Sequence, residues 1–207
     1  MTSTTTIYLI RHGEIDNPRK VFYGRVLDLH LNEEGRYQIR KLAQKLKNGN
    51  TKIHRIYASP LARSVESAQI IAEVFDNVPI LEEKDLTEVD IPALIGHSAS
   101  ERQEIHAQGI DEYSGKFVEE GNESREHIAQ RMLRAFHKIR KENKGKITVA
   151  VSHGDPIRFL LFRLENHDKP IPSMSELKSS DYLERGEGWR MVVDEQGSIS
   201  ERKLIDV

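Results

Sequence analysis

Short apolar runs that stop abruptly at polar residues alternate along this chain with stretches whose apolar positions recur every three or four residues. That alternation reads as strand, helix, strand. Ile7 to Ile10 is a run of four apolar residues bounded by polar ones, the pattern of a buried parallel strand, and it ends in Arg11-His12-Gly13-Glu14. A polar loop from Glu14 to Leu31 follows, with Asn17-Pro18 and Tyr23-Gly24-Arg25 as turn signals. Asn32 is placed to cap a helix whose first turn holds Glu33 and Glu34, where acids suit the positive helix end. Ile39, Leu42, Ala43 and Leu46 form its stripe and Gly49 ends it. Ile53 to Ala58 reads as a second strand. Ser59-Pro60 predicts a helix start, Ser as cap and Pro in the first helical position. This helix runs to about Phe75 with Val65, Ala68, Ile71, Ala72 and Phe75 inward and Arg63 in its first turn.

Val78 to Leu81 predicts a short third strand. The pattern then changes: Glu82 to Glu123 carries twelve acids against three cations, Lys84, Arg102 and Lys116. It reads as an insertion over the sheet edge, a lid, with most of its acids on a solvated face. Ser98 to Glu101 is a capping box within it. A long helix spans about Ser124 to Asn143, with Ile128, Met132, Ala135, Phe136 and Ile139 as core positions and Gly145 as its stop. Ile147 to Val151 is the cleanest buried strand and runs into Ser152-His153-Gly154. Asp155-Pro156 caps the next helix, which carries Ile157, Leu160, Leu161 and Leu164. Trp189 to Val193 and Ser198 to Leu204, joined through Gln196-Gly197, form a terminal hairpin. The whole predicts one domain over residues 1–207, a three-layer α/β/α sandwich with a mostly parallel sheet.

Composition narrows the chemistry. Lys plus Arg number 31 against 33 Asp plus Glu, so no basic excess points to nucleic acid or an anionic membrane. The absence of cysteine excludes disulfides, thiolate nucleophiles and Cys-based metal sites. The first apolar run is too short for a signal peptide or membrane span, so the cytoplasm is the expected compartment.

Two apolar strands each end in a His-Gly pair, and a third leads into the helix bearing Arg63. Parallel strands bring their C-terminal ends to one sheet edge, so His12, His153, Arg11 and Arg63 can converge there. Arginine supplies planar, always-charged donors that match phosphate oxygens in pairs. The helix starts after Ser59 and at Gly154 add backbone donors and a favourable dipole. A neutral imidazole nitrogen can attack phosphorus, and a carboxylic acid must then protonate the leaving oxygen. The other histidines, His30, His54, His97, His106, His127, His137 and His167, are expected to be structural or solvated.

At these motifs the chain resembles the histidine phosphatase superfamily, the phosphoglycerate mutase-like family. Arg11-His12-Gly13-Glu14 matches its signature, Asp28 to Gly35 its following loop and helix start, and Tyr57 to Ser64 its second arginine motif. Leu86-Thr87-Glu88, Gly121-Asn122-Glu123-Ser124 and Val151-Ser152-His153-Gly154 follow in the family's order. The resemblance implies a phosphoglycerate mutase-like fold. It implies His12 as the nucleophile, Arg11, Arg63 and His153 as holders of the phosphoryl group, and Glu88 as the proton donor, its pKa raised by a desolvated, acid-rich lid. Asn17, Gly24 and Gly154 are the further positions expected against substrate. No metal and no organic cofactor is implied. Two departures stand out: Asn17 is five residues beyond His12 where the family has Asn at six, and Val89 to Gly96 replaces an aromatic-Gly stretch after the acid.

The expected activity is cofactor-independent hydrolysis of a small phosphorylated metabolite through a phosphohistidine. A mutase of the same family is the alternative, and a module that binds phosphate ligands without turnover is the competing class. The acid-rich lid disfavours highly anionic substrates, an effect Arg19, Lys20 and Arg25 would offset.

Overall fold

Successive residues of a strand face opposite ways, and in β1 (Thr5–Arg11) both directions lead into a core. Ile7 and Leu9 enter one apolar cluster, Tyr8 and Ile10 the other. The computed structural model describes residues 4–113 and 115–206; the side chain of His106 lies outside the described part. The remaining elements are α1 (Glu33–Asn48), β2 (Ile53–Ala58), α2 (Ala62–Val74), β3 (Ile80–Glu82), α3 (Ala99–Ala107), α4 (Lys116–Glu119), α5 (Arg125–Glu142), β4 (Ile147–Ser152), α6 (Gly154–Asn166), β5 (Gly188–Val193) and β6 (Ile199–Ile205).

The six strands form one sheet in the order β3-β2-β4-β1-β5-β6. The first four are parallel and the terminal hairpin adds two antiparallel strands on the β1 side. Helices α1 and α2 cover one face through Ile39, Leu42, Leu46, Ala68 and Ile71, and α5 and α6 cover the other through Ile128, Met132, Ile139, Ile157 and Leu160. All ten are buried, and each large aliphatic side chain contributes about 1.5–3 kcal/mol by leaving water. This is the three-layer α/β/α arrangement expected from the sequence.

Register then sets the site. Arg11 of β1 pairs with Ser152 of β4, and Ala58 of β2 pairs with Val151. The three strands therefore stop level, and His12, Ser59 and His153 emerge side by side. On the other flank, β5 runs antiparallel to β1, with Ile10 opposite Gly188. The residues before β5 are thereby returned to the same edge, where Gly186 N–H donates to His12 O at 3.2 Å.

Several local expectations hold in detail. Asn32 accepts from Gly35 N–H at the α1 start, and Ser98 and Glu101 complete their capping box. Others differ. Helix α2 starts at Ala62 with Leu61 as cap and no side-chain capping bond. The Ser59 hydroxyl lies 2.8 Å from His153 Nε2 and accepts only a long bond from Leu61 N–H at 3.5 Å, and Leu61 keeps an extended backbone ahead of the helix. Asp155 lies inside the first turn of α6, whose cap is His153; its carboxylate accepts from the Tyr113 hydroxyl at 2.6 Å. The third strand comes two residues later than expected. Helix α5 closes at Asn143, whose amide donates to Ile139 O at 2.7 Å, ahead of Gly145.

The segment 82–123 is anchored. Leu86, Val89, Ile91, Leu94 and Tyr113 are buried in the same core as α5 and α6, and Ser152 Oγ donates to Leu86 O at 2.7 Å. Its charge excess is also partly compensated in space. Glu83, Glu88, Glu112 and Glu123 are buried, and Glu83, Asp85, Asp90 and Glu123 pair with Lys138, Arg134, Arg25 and Arg131, all from outside the segment. Arg25 is itself spent in these pairs.

Candidate active site

His12 is fully buried. Its Nδ1 lies 2.8 Å from the carbonyl oxygen of Gly13, which can only accept, so Nδ1 carries the proton and Nε2 presents its lone pair. Nε2 has no hydrogen-bond partner among the described residues. Burial lowers the His12 pKa well below the ordinary histidine value, and the charges of Arg63 and Arg11 lower it further, so the ring is neutral. A buried, neutral imidazole with a free, fixed lone pair is a nucleophile already in its reactive tautomer.

His153 packs edge-on against it, ring centroids 5.1 Å apart. Its Nε2 meets Ser59 Oγ at 2.8 Å and Ser64 Oγ at 3.4 Å, and its Nδ1 lies 3.6 Å from Glu88 Oε2. Burial holds the His153 pKa well below its ordinary value, with Arg63 and His12 acting in the same direction. Glu88 shows the opposite shift. Burial raises its pKa against the opposing charge of Arg63, and the neighbouring Asp155 carboxylate reinforces the rise. Its Oε1 accepts from Val89 N–H at 2.9 Å. A carboxyl so placed keeps its proton to higher pH than a solvated one.

Arg11 Nη1 donates to Leu183 O at 2.7 Å, and its guanidinium stands 4.9 Å from the Tyr182 ring centre. Arg63, fully buried, donates from Nη2 to Gly24 O at 2.8 Å and from Nη1 to Val26 O at 3.1 Å. The five residues expected to carry the chemistry are thus brought together. His12, Glu88 and His153 offer ligand atoms within 4.8 Å of one another, a spacing a metal ion could bridge. The two guanidiniums beside them already depress both histidines, however, so the cluster suits an anion rather than a cation.

A cleft of about 660 Å³ opens over this cluster. Arg11, Glu88, Asn17 and Gly154 line it, while His12, Arg63 and His153 form the layer behind. Asn17 spends its amide across its own loop, donating to Val21 O at 2.8 Å. Gly154 must be small, since a Cβ there would stand 2.9 Å from the Tyr182 hydroxyl. Gly24 does not line the cleft; its carbonyl fastens Arg63. Four lining residues, Arg102, Asp155, Tyr182 and Arg185, were not among those the sequence pointed to. Arg185 pairs with Glu14 at 2.6 Å, Arg102 with Glu112 at 3.2 Å, and burial pushes the Tyr182 hydroxyl up to about 12. The signal for Tyr182 and Arg185 lay in the hairpin: once β5 pairs with β1, the residues before it must lie beside Arg11.

The family model of the histidine phosphatase superfamily (branch 1) matches residues 7–182. The chain belongs to the histidine phosphatase superfamily. Among similar members, phosphoglycerate mutase-like protein 4 of Arabidopsis thaliana is 32% identical over 162 residues, 76% of this chain and 70% of that protein. Phosphoserine phosphatase 1 of Hydrogenobacter thermophilus is 31% identical over 156 residues, 73% and 72% of the two chains. Among solved structures, YhfR of Bacillus stearothermophilus superposes with a TM-score of 0.78 at 25% identity, covering 94% of each chain. Among the described residues of this superfamily member, no helix is long and apolar enough to cross a membrane.

Proposed function

We propose that this chain is a phosphomonoesterase working through a phosphohistidine at His12 Nε2, with a small phosphorylated metabolite as substrate. The free, fixed lone pair of His12 beside Arg11, Arg63 and a Glu88 whose burial raises its pKa carries the reading. Arg11 and Glu88 line the cleft floor, and their side chains part to admit the phosphoryl group. Nε2 attacks phosphorus in line with the ester oxygen, the P–O bond breaks, and Glu88 gives its proton to the leaving alkoxide. Arg11 and Arg63 neutralise charge on the equatorial oxygens, and the uncharged His153 offers them a ring N–H. Glu88, now a carboxylate, takes a proton from water as that water attacks the phosphohistidine. Inorganic phosphate leaves and both groups return to their starting states.

Only substrate and water enter this sequence, so it calls for no cofactor or metal. Superfamily relatives named phosphoserine phosphatase and phosphoglycerate mutase-like protein support a small phosphomonoester. The cleft lining supports the same view. Arg11, Lys20, Arg102 and Arg185 face Glu14, Asp16, Glu88 and Asp155, a mixed wall that suits a compact polar molecule. The segment 82–123 contributes Glu88, Ala99 and Arg102 to that wall and acts as a fixed roof.

The test is phosphate release from 4-nitrophenyl phosphate with EDTA present, His12→Ala beside the parent, and acid-quenched protein assayed for phosphohistidine. Release by the parent alone, with a labile phosphoprotein, is the expected result. Equal release by the variant would sink the assignment. A phosphoprotein that passes its group to an added hydroxyl acceptor rather than to water would replace hydrolase with mutase.

A further inference from the structure

Three side chains outside the cleft converge on the backbone that carries Glu88. The carbonyl oxygen of Glu88 accepts from two guanidiniums, Arg25 Nε at 2.8 Å and Arg131 Nη2 at 3.1 Å. Arg131 Nη1 also donates to the carbonyl oxygens of Asp85 at 2.9 Å and Thr87 at 2.6 Å. Glu123 joins the two arginines. Its Oε1 accepts from Arg131 Nε at 2.7 Å, and its Oε2 accepts from Arg131 Nη2 at 3.1 Å, Arg25 Nη2 at 2.8 Å and Asp90 N–H at 3.2 Å. Glu123 N–H donates in turn to Asp90 O at 2.7 Å. The backbone on both sides of the acid is thus tied down by a loop residue, Arg25, and by the start of α5.

The charges balance, since Asp90 also pairs with Arg25 at 3.2 Å and the cluster holds two cations and two anions. Arg131 and Glu123 are only 3% and 7% exposed, and such a buried pair is expensive to break from one side. Its orientation is chemically specific. Both guanidiniums take the carbonyl oxygen of Glu88 and neither touches its carboxyl, which among the described residues meets Val89 N–H and the His153 ring. An arginine on the carboxyl would hold it ionised and remove the proton it has to give. Anchoring the main chain fixes where that proton sits while leaving the carboxyl in a desolvated setting.

We propose that Arg25, Glu123 and Arg131 are positioning residues for proton transfer by Glu88. The proposal rests on the reading of Glu88 as the acid. It makes a specific demand on leaving groups: dinitrophenolate departs without a proton, whereas an alkoxide needs one.

The experiment compares kcat/KM for glycerol 2-phosphate and 2,4-dinitrophenyl phosphate in the full chain. Glu88→Gln is expected to lower the alkyl-to-aryl ratio on the order of 100-fold, the usual scale of general acid catalysis. Arg131→Lys and Arg25→Met are each expected to lower it by roughly 10-fold, and Arg131→Lys to add nothing further on top of Glu88→Gln, as coupled residues do. Equal loss on both esters, or additive losses in the double variant, would overturn the clamp. Should Arg131→Lys fail to fold, Arg25→Met decides, because it keeps the buried Arg131–Glu123 pair. An unchanged ratio in Glu88→Gln would remove the acid assignment and the clamp with it. A lowered ratio there with unchanged ratios in the clamp variants would remove the clamp alone.

Discussion

Gly13 and Gly35 pack backbone against backbone: a Cβ on Gly13 would stand 2.4 Å from the carbonyl oxygen of Gly35. A Cβ on Gly35 would stand 2.0 Å from the carbonyl oxygen of Glu14. The first turn of α1 therefore presses directly on the loop that carries His12. Gly13 N–H also donates to Ser67 Oγ at 3.3 Å, so the loop is held from α2 as well.

Gly35→Ala forces a methyl group into backbone, with no flexible side chain to yield. The expected cost is about 1–3 kcal/mol, typical of overpacking. Because the displaced neighbour is the loop that carries His12, phosphate release should fall along with Tm. Calorimetry and turnover on one preparation would check both, and a stable, fully active variant would refute the contact.

The shifted groups set the pH profile. His12 and His153 have lowered pKa values, so the acid limb of kcat/KM should lie below the ordinary histidine range. Glu88 has a raised one, so the alkaline limb should lie above the ordinary glutamate range. Stability follows with a definite sign. Glu88 binds its proton more tightly folded than unfolded. Its contribution is therefore complete below the unfolded value of about 4.3 and is lost as pH rises through the folded one. Glu88→Gln does not titrate, so its Tm advantage over the parent should grow from pH 4 towards pH 8, about those limits. A pH-independent difference would show that the carboxyl is not desolvated as described.

Ser59→Ala separates two readings of one hydroxyl. As a helix cap its loss would cost about 1 kcal/mol of stability. As the partner of His153 Nε2 its loss should leave Tm nearly unchanged and reduce turnover by roughly 10-fold, as for outer partners of a functional histidine. The helix begins at Ala62 without it, so the second outcome is expected.

Strands, long helices and two of the caps were legible because their causes are local. β2 falls on Ile53–Ala58 as expected, and Asn32 and the Ser98–Glu101 box bond within three residues of themselves. The four site residues at strand ends and the α2 start were legible for the same reason, since strand endings fix them. Ser59 and Asp155 misled because their oxygens make their short contacts with distant partners, His153 at 2.8 Å and Tyr113 at 2.6 Å, while Ser59 meets nearby backbone at 3.5 Å, at Leu61 N–H. The pairing of the acids of 82–123 was not legible for a related reason: linear charge counting cannot see Arg25, Arg131, Arg134 and Lys138 arriving from elsewhere. Arg102 belongs to a helix whose sequence has no stated reason to face the cleft until the core residues around it have packed.

The cluster around His12 stands on the ends of β1, β4 and the β2–α2 turn, whereas the cleft walls come from the loop 14–31, the segment 82–123 and the stretch before β5. The two parts overlap at a few points only: Glu88 belongs to a wall segment, and Arg25, Gly24, Val26 and Leu183 of the walls hold Glu88, Arg63 and Arg11. Exchanges elsewhere in the three wall segments can reshape the cleft without disturbing the strand register that aligns His12 and His153. An engineer reshaping this cleft would graft around those anchors and leave the sheet alone.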